Sequence, residues 1–407
     1  MADPRILLFT DQFPYGEHEQ FLETEIVELA KCNSSIVVMP SRLTQHSRVL
    51  PYNVACELDL ALHLKASFLK KLLWLGKHVL PIAKALYYYR DYLFRGDASR
   101  RILRFLYNSR QTSVWLEKYF ASISDPTIFY TYWFGANALG LAEFASSKQH
   151  FKVVVRAHGH DLYEDRHQPA MIPFREEALK KIDKVFFVSR HGLDYLSNKY
   201  PWAVSKYQLA CLGVNDPGFL CSVSGDKAWR IVSCSSILEV KQLDLLLDSL
   251  MLLANETSSK RIIWSHIGEG PLKGKLERII QNSCPQNLEC IFLGQLTNKK
   301  VLRFYRENPV DIFANVSKSE GVPVSIMEAQ SCGIPVLAPK VGGIPEIVNN
   351  ENGVLLNSNP TKQIIKDALF RTLSDDIKSR RSKSRLNWER NYRARENYRA
   401  FYGMLTS

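Results

Sequence analysis

VSKSEGVPVSIMEAQSCGIPVLAPKVGGIPEI, residues 316–347, decides how the rest of the chain is read. It opens on the end of an apolar run, DIFANVS (311–317), and passes through a short loop carrying Glu320 and Gly321. VSIMEAQS then continues as a helix up to Gly333. Pro323 falls where the first helical turn tolerates a residue without an N–H, and glycine is a common stop. A second apolar run, IPVLAP (334–339), follows at once. Strand, helix and strand in so short a span predict one unit of a doubly wound parallel sheet.

The same alternation extends outward in both directions. RIVSCS (230–235), RIIWSHIG (261–268), LECIFLG (288–294) and GVLLN (353–357) complete a second-half series with room for one helix between neighbours. RILLFT (5–10), SIVVMP (35–40), TIFYTY (127–132), FKVVVRA (151–157), KVFFVS (184–189) and YQLACLG (207–213) make an equivalent first-half series. Such β-branched runs, spaced by helical stretches, predict an α/β protein of two Rossmann-like doubly wound domains facing a cleft. NDPG (215–218) and SVSGDK (222–227) mark the boundary. The expected domains are 1–216 and 217–385, with 386–407 as a C-terminal helix crossing back to the first domain. At about 150 residues per domain, 407 residues hold both cores.

Composition excludes several classes. The 46% hydrophobic and 23% charged fractions are those of a globular protein, and no run of about 18 apolar residues is present to cross a bilayer. MADPRILLFTDQF has no basic start and no small-residue cleavage site, so the expectation is a cytoplasmic protein. The eight cysteines lie far apart without CxxC or zinc spacing, which predicts reduced, mostly buried thiols. A net charge of +12 favours an anionic partner: phosphate, nucleic acid or an acidic membrane surface.

Residues 62–118 break the α/β alternation, with twelve Lys or Arg against three acids. Leu64, Phe68, Leu72, Leu75 and Val79 fall at helical spacing while Lys70 and Lys77 point the other way, and Pro81 should end or kink that helix. Interleaved with Trp74 and Tyr87 to Tyr89, this insertion predicts docking on an anionic membrane, against the alternative of plain packing on the first sheet.

The chemistry gathers where the quoted helix begins. Its free N–H groups and positive dipole end form an anion site at the C-terminal edge of a parallel sheet, suited to a diphosphate. Glu328 lies about 7.5 Å along the axis from Pro323, so Glu320 and Glu328 can address opposite ends of a ligand with phosphate in its middle. A carboxylate accepts two hydroxyl hydrogens at once, as ribose and hexose both offer.

SEGVPVSIMEA resembles the Glu-x7-Glu motif of glycosyltransferase family 4, the retaining GT-B enzymes, with Glu320 and Glu328 as its two glutamates. GIPVLAPKVGGIPEIV, GEGPLKGKLE (268–277) and IFLGQL (291–296) are similar to the family's flanking segments, and RAHGHDLYE (156–164) to the His-Gly-x-Asp segment of its polysaccharide and lipopolysaccharide members. The resemblance implies that Glu328 binds ribose, and that Glu320 with the backbone of Gly321, Val322, Pro323 and Val324 holds the donor sugar. It further implies that Gly294 lies on the donor side, that His158 lines the donor sugar in a catalytic role, and that Gly16 and Asp161 lie on the acceptor side. Lys241 matches a lysine that contacts donor phosphates, while Ser236 stands where the family usually has arginine.

The activity so implied is retaining transfer of a hexose-type sugar, without a metal cofactor, from a nucleotide diphosphate sugar to a lipid-linked or glycan acceptor in surface polysaccharide synthesis at the inner face of the membrane. Another GT-B reaction, sugar phosphorolysis or nucleotide-sugar epimerisation, is the alternative. A non-catalytic anion- or nucleic-acid-binding protein using the positive charge is a further alternative, which lacks its expected recognition motif. His158-x-His160-Asp161 as a metal site, and Gly268, Gly270 and Gly274 as a dinucleotide loop, are weaker readings, since each pattern is incomplete.

Overall fold

The computed structural model describes residues 4–16, 19–65, 68–120, 125–375 and 377–407. Two compact units divide the chain, one formed by residues 1–211 together with 398–407 and the other by 212–397.

The first unit is built on a sheet of β1 (Arg5–Thr10), β2 (Ile36–Pro40), β3 (Val54–Cys56), β4 (Thr127–Thr131), β5 (Phe151–Ala157), β6 (Lys184–Phe187) and β7 (Tyr207–Leu209). Its order is β3-β2-β1-β4-β5-β6-β7, with every pair parallel. Sheets covered on both faces need runs that are apolar throughout. In FKVVVRA of β5 only Lys152 is exposed, and even Arg156 is fully buried. Its guanidinium donates to Glu25 Oε2 at 2.6 Å and to the carbonyl of Ala210 at 2.9 Å, and Tyr130 donates to Glu25 Oε1 at 2.6 Å. Phe401, on the chain's final helix, lies 4.4 Å from the same guanidinium and edge-on to Tyr130 and Phe186. Residues 398–407 thereby help fill the core of the first sheet.

The second unit carries β8 (Trp229–Cys234), β9 (Ile262–Ile267), β10 (Leu288–Phe292), β11 (Ile312–Ala314), β12 (Val336–Pro339) and β13 (Gly353–Leu356), ordered β10-β9-β8-β11-β12-β13 and all parallel. Helix Leu243–Glu256 covers it with Leu243, Leu246, Leu247, Leu250, Leu253 and Ala254, the spacing of one helical face. In each sheet the strand order reverses beside the first strand of the unit, so the open crevices fall at the ends of β1 and β4, and of β8 and β11.

Several expectations are corrected. The second unit begins at Leu212 and extends to Asn397, so the tail joins the first unit from Tyr398 and not from residue 386. Helix Lys378–Asn391 stays with the second unit because Trp388 is fully buried, Arg385 donates to the Ser331 carbonyl at 2.5 Å and Asn387 donates to Gln330 at 2.8 Å. Strand β3 has no counterpart among the predicted runs.

In the insertion, helices Phe68–Lys77 and Val79–Tyr88 part at His78. Pro81 sits inside the first turn of the second, where its missing N–H costs no helical bond, so the break precedes it. The stripe is not a single buried face, since Leu75 and Val79 are exposed and Trp74 is buried instead. The side chains of Phe68, Leu72 and Lys70 lie outside the described residues. Helix Ala98–Tyr119 packs tightly on helix Ala136–Ala145, where a Cβ on Gly140 would meet the Ser109 carbonyl at 2.4 Å. No helix among the described residues is long and apolar enough to cross a membrane.

Candidate functional site

In the second unit, the loops leaving β8 and β11 meet at the crevice. Lys241 ends a short 3-10 turn, Glu239–Lys241, and Glu320 lies in the loop after β11. The Lys241 ammonium donates to Glu320 Oε1 at 2.5 Å, and Asn315 Nδ2 donates to the same oxygen at 3.2 Å. Burial works against ionisation of Glu320, but the Lys241 charge and these hydrogen bonds outweigh it and hold the carboxyl below its ordinary range.

Helix Val324–Ser331 starts one residue later than expected: Pro323 is its N-cap in extended conformation, not a residue of the first turn. Its N-terminal N–H groups follow directly on Gly321 and the buried Val322. The C-terminus closes with Gly333 at φ +70°, where Ile334 N–H donates to Ala329 O and Gly333 N–H to Gln330 O. The loop before the helix is locked from behind. Gly343 N–H donates to Gly321 O at 2.9 Å, and a Cβ on Gly342, at φ +51°, would lie 1.9 Å from the Glu320 carbonyl.

Glu328 sits in that helix in a different setting. Asn298, first residue of helix Asn298–Glu307, donates to Glu328 Oε1. Its titratable neighbours Cys234, Tyr305 and Cys332 are uncharged at neutral pH. Burial pushes the Glu328 carboxyl up to about 7, against the lowering effect of Asn298.

The remaining donor-side residues lie on loops of the same unit. Ser236 is exposed on the loop after β8. Gly294, at φ +70°, forms an isolated antiparallel bridge with Gly268, whose own Cβ would strike the Ser235 carbonyl at 2.0 Å. Gly270 backs onto Ile237, whereas a Cβ on Gly274 would meet nothing within 4 Å, so the glycines here serve loop packing.

In the first unit, the ends of β1, β4 and β5 gather an aromatic group around His158. The imidazole lies 4.4 Å from Tyr132, 4.8 Å from Trp133 and 5.9 Å from Phe21, centroid to centroid. Asp161, expected on the acceptor side, turns its carboxylate onto backbone N–H groups of Phe134 and His158, both at 2.9 Å. Burial opposes its ionisation, and His158 with those amides prevails, keeping the carboxyl below its usual range. His160 is exposed and packs on His167 at 4.4 Å. Among the described residues no three His, Cys, Asp or Glu side chains form a metal-binding group. Gly16, at φ +68°, turns the loop after β1 and donates its N–H to His46 O.

Three partners were not legible in the sequence. Asn298 and Asn315 lie 30 and 5 residues from the glutamates they contact, in no recognisable motif. Glu19 is the third. Buried at φ +59°, it accepts from the N–H groups of Asp11, Gln12 and Phe13 at 3.0, 2.8 and 2.7 Å, and from Trp133 Nε1 at 2.5 Å. Its only sequence signal is its place after the first strand.

Residues 222–395 match the family model of glycosyl transferases group 1. A GDP-mannose-dependent monoacylated alpha-(1-6)-phosphatidylinositol monomannoside mannosyltransferase of Corynebacterium glutamicum is 24% identical over 275 residues, 60% of this chain and 68% of that protein. The O-antigen biosynthesis glycosyltransferase WbnH of Escherichia coli is 37% identical over 108 residues, 26% of this chain and 29% of that protein. Anabaena HepE, solved in complex with UDP and glucose, superposes with a TM-score of 0.64 at 15% identity, covering 100% of both chains. The scaffold is the GT-B fold of two parallel-sheet Rossmann-like domains, and residues 222–395, which hold both glutamates, carry the pattern of the group 1 glycosyl transferases.

Proposed function

We propose that the protein is a retaining glycosyltransferase of family 4 type, transferring a hexose-type sugar from a nucleotide diphosphate sugar to a lipid-linked or glycan acceptor in surface polysaccharide synthesis, without a metal cofactor. The observation that carries this reading is the pair of unlike carboxyls flanking the Val324 helix start. Glu320 is kept ionised beside Lys241, while Glu328, buried near neutral groups, is free to address hydroxyls. In this reading Glu328 receives the ribose, and the N–H groups after Pro323 meet the diphosphate. Glu320 stabilises positive charge developing at the anomeric carbon, an interaction stronger in the transition state than before it. Lys241, already on Glu320, contributes the cation nearest the departing phosphate.

A thermal-shift panel of UDP, GDP, ADP and their sugars identifies the donor, since a ligand of the folded state raises Tm. NMR of the product anomer with EDTA present then tests the chemistry. A retained anomer and undiminished rate are expected; an inverted anomer, or loss restored by Mg²⁺ or Mn²⁺, refutes the reading.

Peripheral association with an anionic membrane belongs to the same proposal. Leu73, Val79, Leu80, Tyr87 and Phe94 are exposed on the insertion, among exposed Lys71, Lys77, Lys84, Arg100 and Arg104. Each basic residue near such a surface contributes about 1 kcal/mol. Reversal of Lys77, Arg100 and Arg104 to Glu is expected to release the folded protein from phosphatidylserine liposomes, and unchanged flotation refutes docking.

A further inference from the structure

A half-buried tryptophan at the end of a parallel strand is costly to fix in place unless its N–H has a partner. Trp133 lies two residues past the end of β4, and its indole N–H is taken by Glu19 at 2.5 Å. The same carboxylate gathers three consecutive backbone N–H groups of the loop after β1. Glu19 adopts a left-handed backbone conformation and is 4% exposed, so this arrangement is overdetermined by four donors and not a surface contact. On its inner side the indole meets His158 and Phe21, while part of its surface stays in solvent.

We infer that Trp133 is a sugar-stacking platform of the acceptor site, and that Glu19 is the positioning residue that holds the indole there. The inference rests on the glycosyl-transfer reading and adds the binding residue that reading lacks. Hexoses present a face of C–H groups and an equatorial rim of hydroxyls. A large flat ring with its one polar atom already satisfied matches the C–H face. A pinned ring loses little conformational entropy on binding, which is why rigid aromatic anchors dominate recognition surfaces. Asp161, accepting from the amides of Phe134 and His158, fixes the spacing of platform and imidazole.

The test uses the full chain and a panel of n-octyl hexosides (gluco, galacto and manno, both anomers), with saturation-transfer NMR in the presence of UDP. At least one hexoside is expected to show saturation of its ring C–H protons. Trp133→Ala should weaken that hexoside ten-fold or more, and Trp133→Phe, which keeps a ring but loses the Glu19 bond, about three-fold. Glu19→Gln should weaken it in the wild-type background and by a smaller factor in the Trp133→Phe background, a coupling that general destabilisation does not produce. Circular dichroism checks folding, and UDP calorimetry on each variant reads the second unit separately. Hexoside affinity unchanged in folded Trp133→Ala, or no hexoside bound by the wild type, overturns the inference. Failure of UDP and every other nucleotide to bind strikes the donor reading instead.

Discussion

Glu320 and Glu328 stand eight residues apart, both buried, and have opposite electrostatics. Glu320 has a lysine ammonium and an asparagine amide on one oxygen and is held ionised. Glu328 has an asparagine and three neutral neighbours, and its carboxyl titrates near 7. Burial alone raises a carboxyl, so the contrast comes first from the Lys241 cation on the loop after β8 and then from the hydrogen bonds that Glu320 accepts. One motif thus contains a carboxyl favoured as the anion and one favoured as the acid, a division that the spacing of two glutamates does not reveal.

The most severe way to break the contrast is Glu320→Gln. If Glu320 meets positive charge only as the bond to phosphate breaks, kcat should fall by roughly 10²-fold or more, with nucleoside diphosphate affinity nearly intact. Glu328→Gln should instead raise the donor KM and weaken the nucleoside diphosphate, with kcat little changed. Equal loss of nucleoside diphosphate affinity by calorimetry in both variants would show the roles misassigned.

Stability gives a second contrast of opposite sign. The folded-state pKa of Glu328 lies above its unfolded value, so its burial costs little below pH 4.5 and its full penalty is present above about 7. By linkage that penalty is on the order of 3 kcal/mol. Glu328→Gln is therefore expected to raise Tm at pH 8 by several degrees and to change it little at pH 4.5. Glu320 has a lowered pKa, so it contributes stability that is lost as pH falls through its folded-state value. Lys241→Ala strands its carboxylate and should cost about 1–3 kcal/mol at pH 8. Thermal melts of both variants across pH 4.5–8 check the signs.

If Glu328 receives the ribose, wild-type affinity for the nucleoside diphosphate that the thermal-shift panel identifies should decline as pH falls through about 7, because a carboxylate accepts two ribose hydroxyls and a carboxylic acid does so less well. The smallest effect sharpens that midpoint. Asn298→Ala removes the bond that lowers the Glu328 pKa, so the midpoint should move upward by less than about one unit, roughly 1 kcal/mol. A midpoint unmoved in Asn298→Ala would mean that another group sets it.

What the sequence disclosed depended on how local the cause was. Both parallel sheets were legible because a doubly covered strand is largely apolar along its length, as VFFV (185–188) and IPVLAP (334–339) are. Strand β3 escaped notice because VAC, only three residues, has an exposed alanine at its centre. Glu320, Glu328 and Lys241 were visible as a pattern, but not the bond joining Lys241 to Glu320 across 79 residues. Asn298 and Glu19 act through pairings set by the fold, so neither carries a local signature. Pro81 resembles a breaker in sequence, yet a proline in a first turn breaks nothing; His78 marks the join.

The salt bridge inside the first sheet has a consequence for how the chain is made. Glu25, Tyr130, Arg156 and Phe401 form one buried group, and the last of them is translated long after the others. Domains on a ribosome ordinarily fold in the order they emerge. Here the first sheet lacks one wall of its core until Phe401 and Leu405 leave the exit tunnel, whereas the strands of the second, β8 to β13, emerge together and earlier than that wall. The second unit can then reach its native state on a nascent chain whose first unit is still waiting for helix Ala394–Thr406.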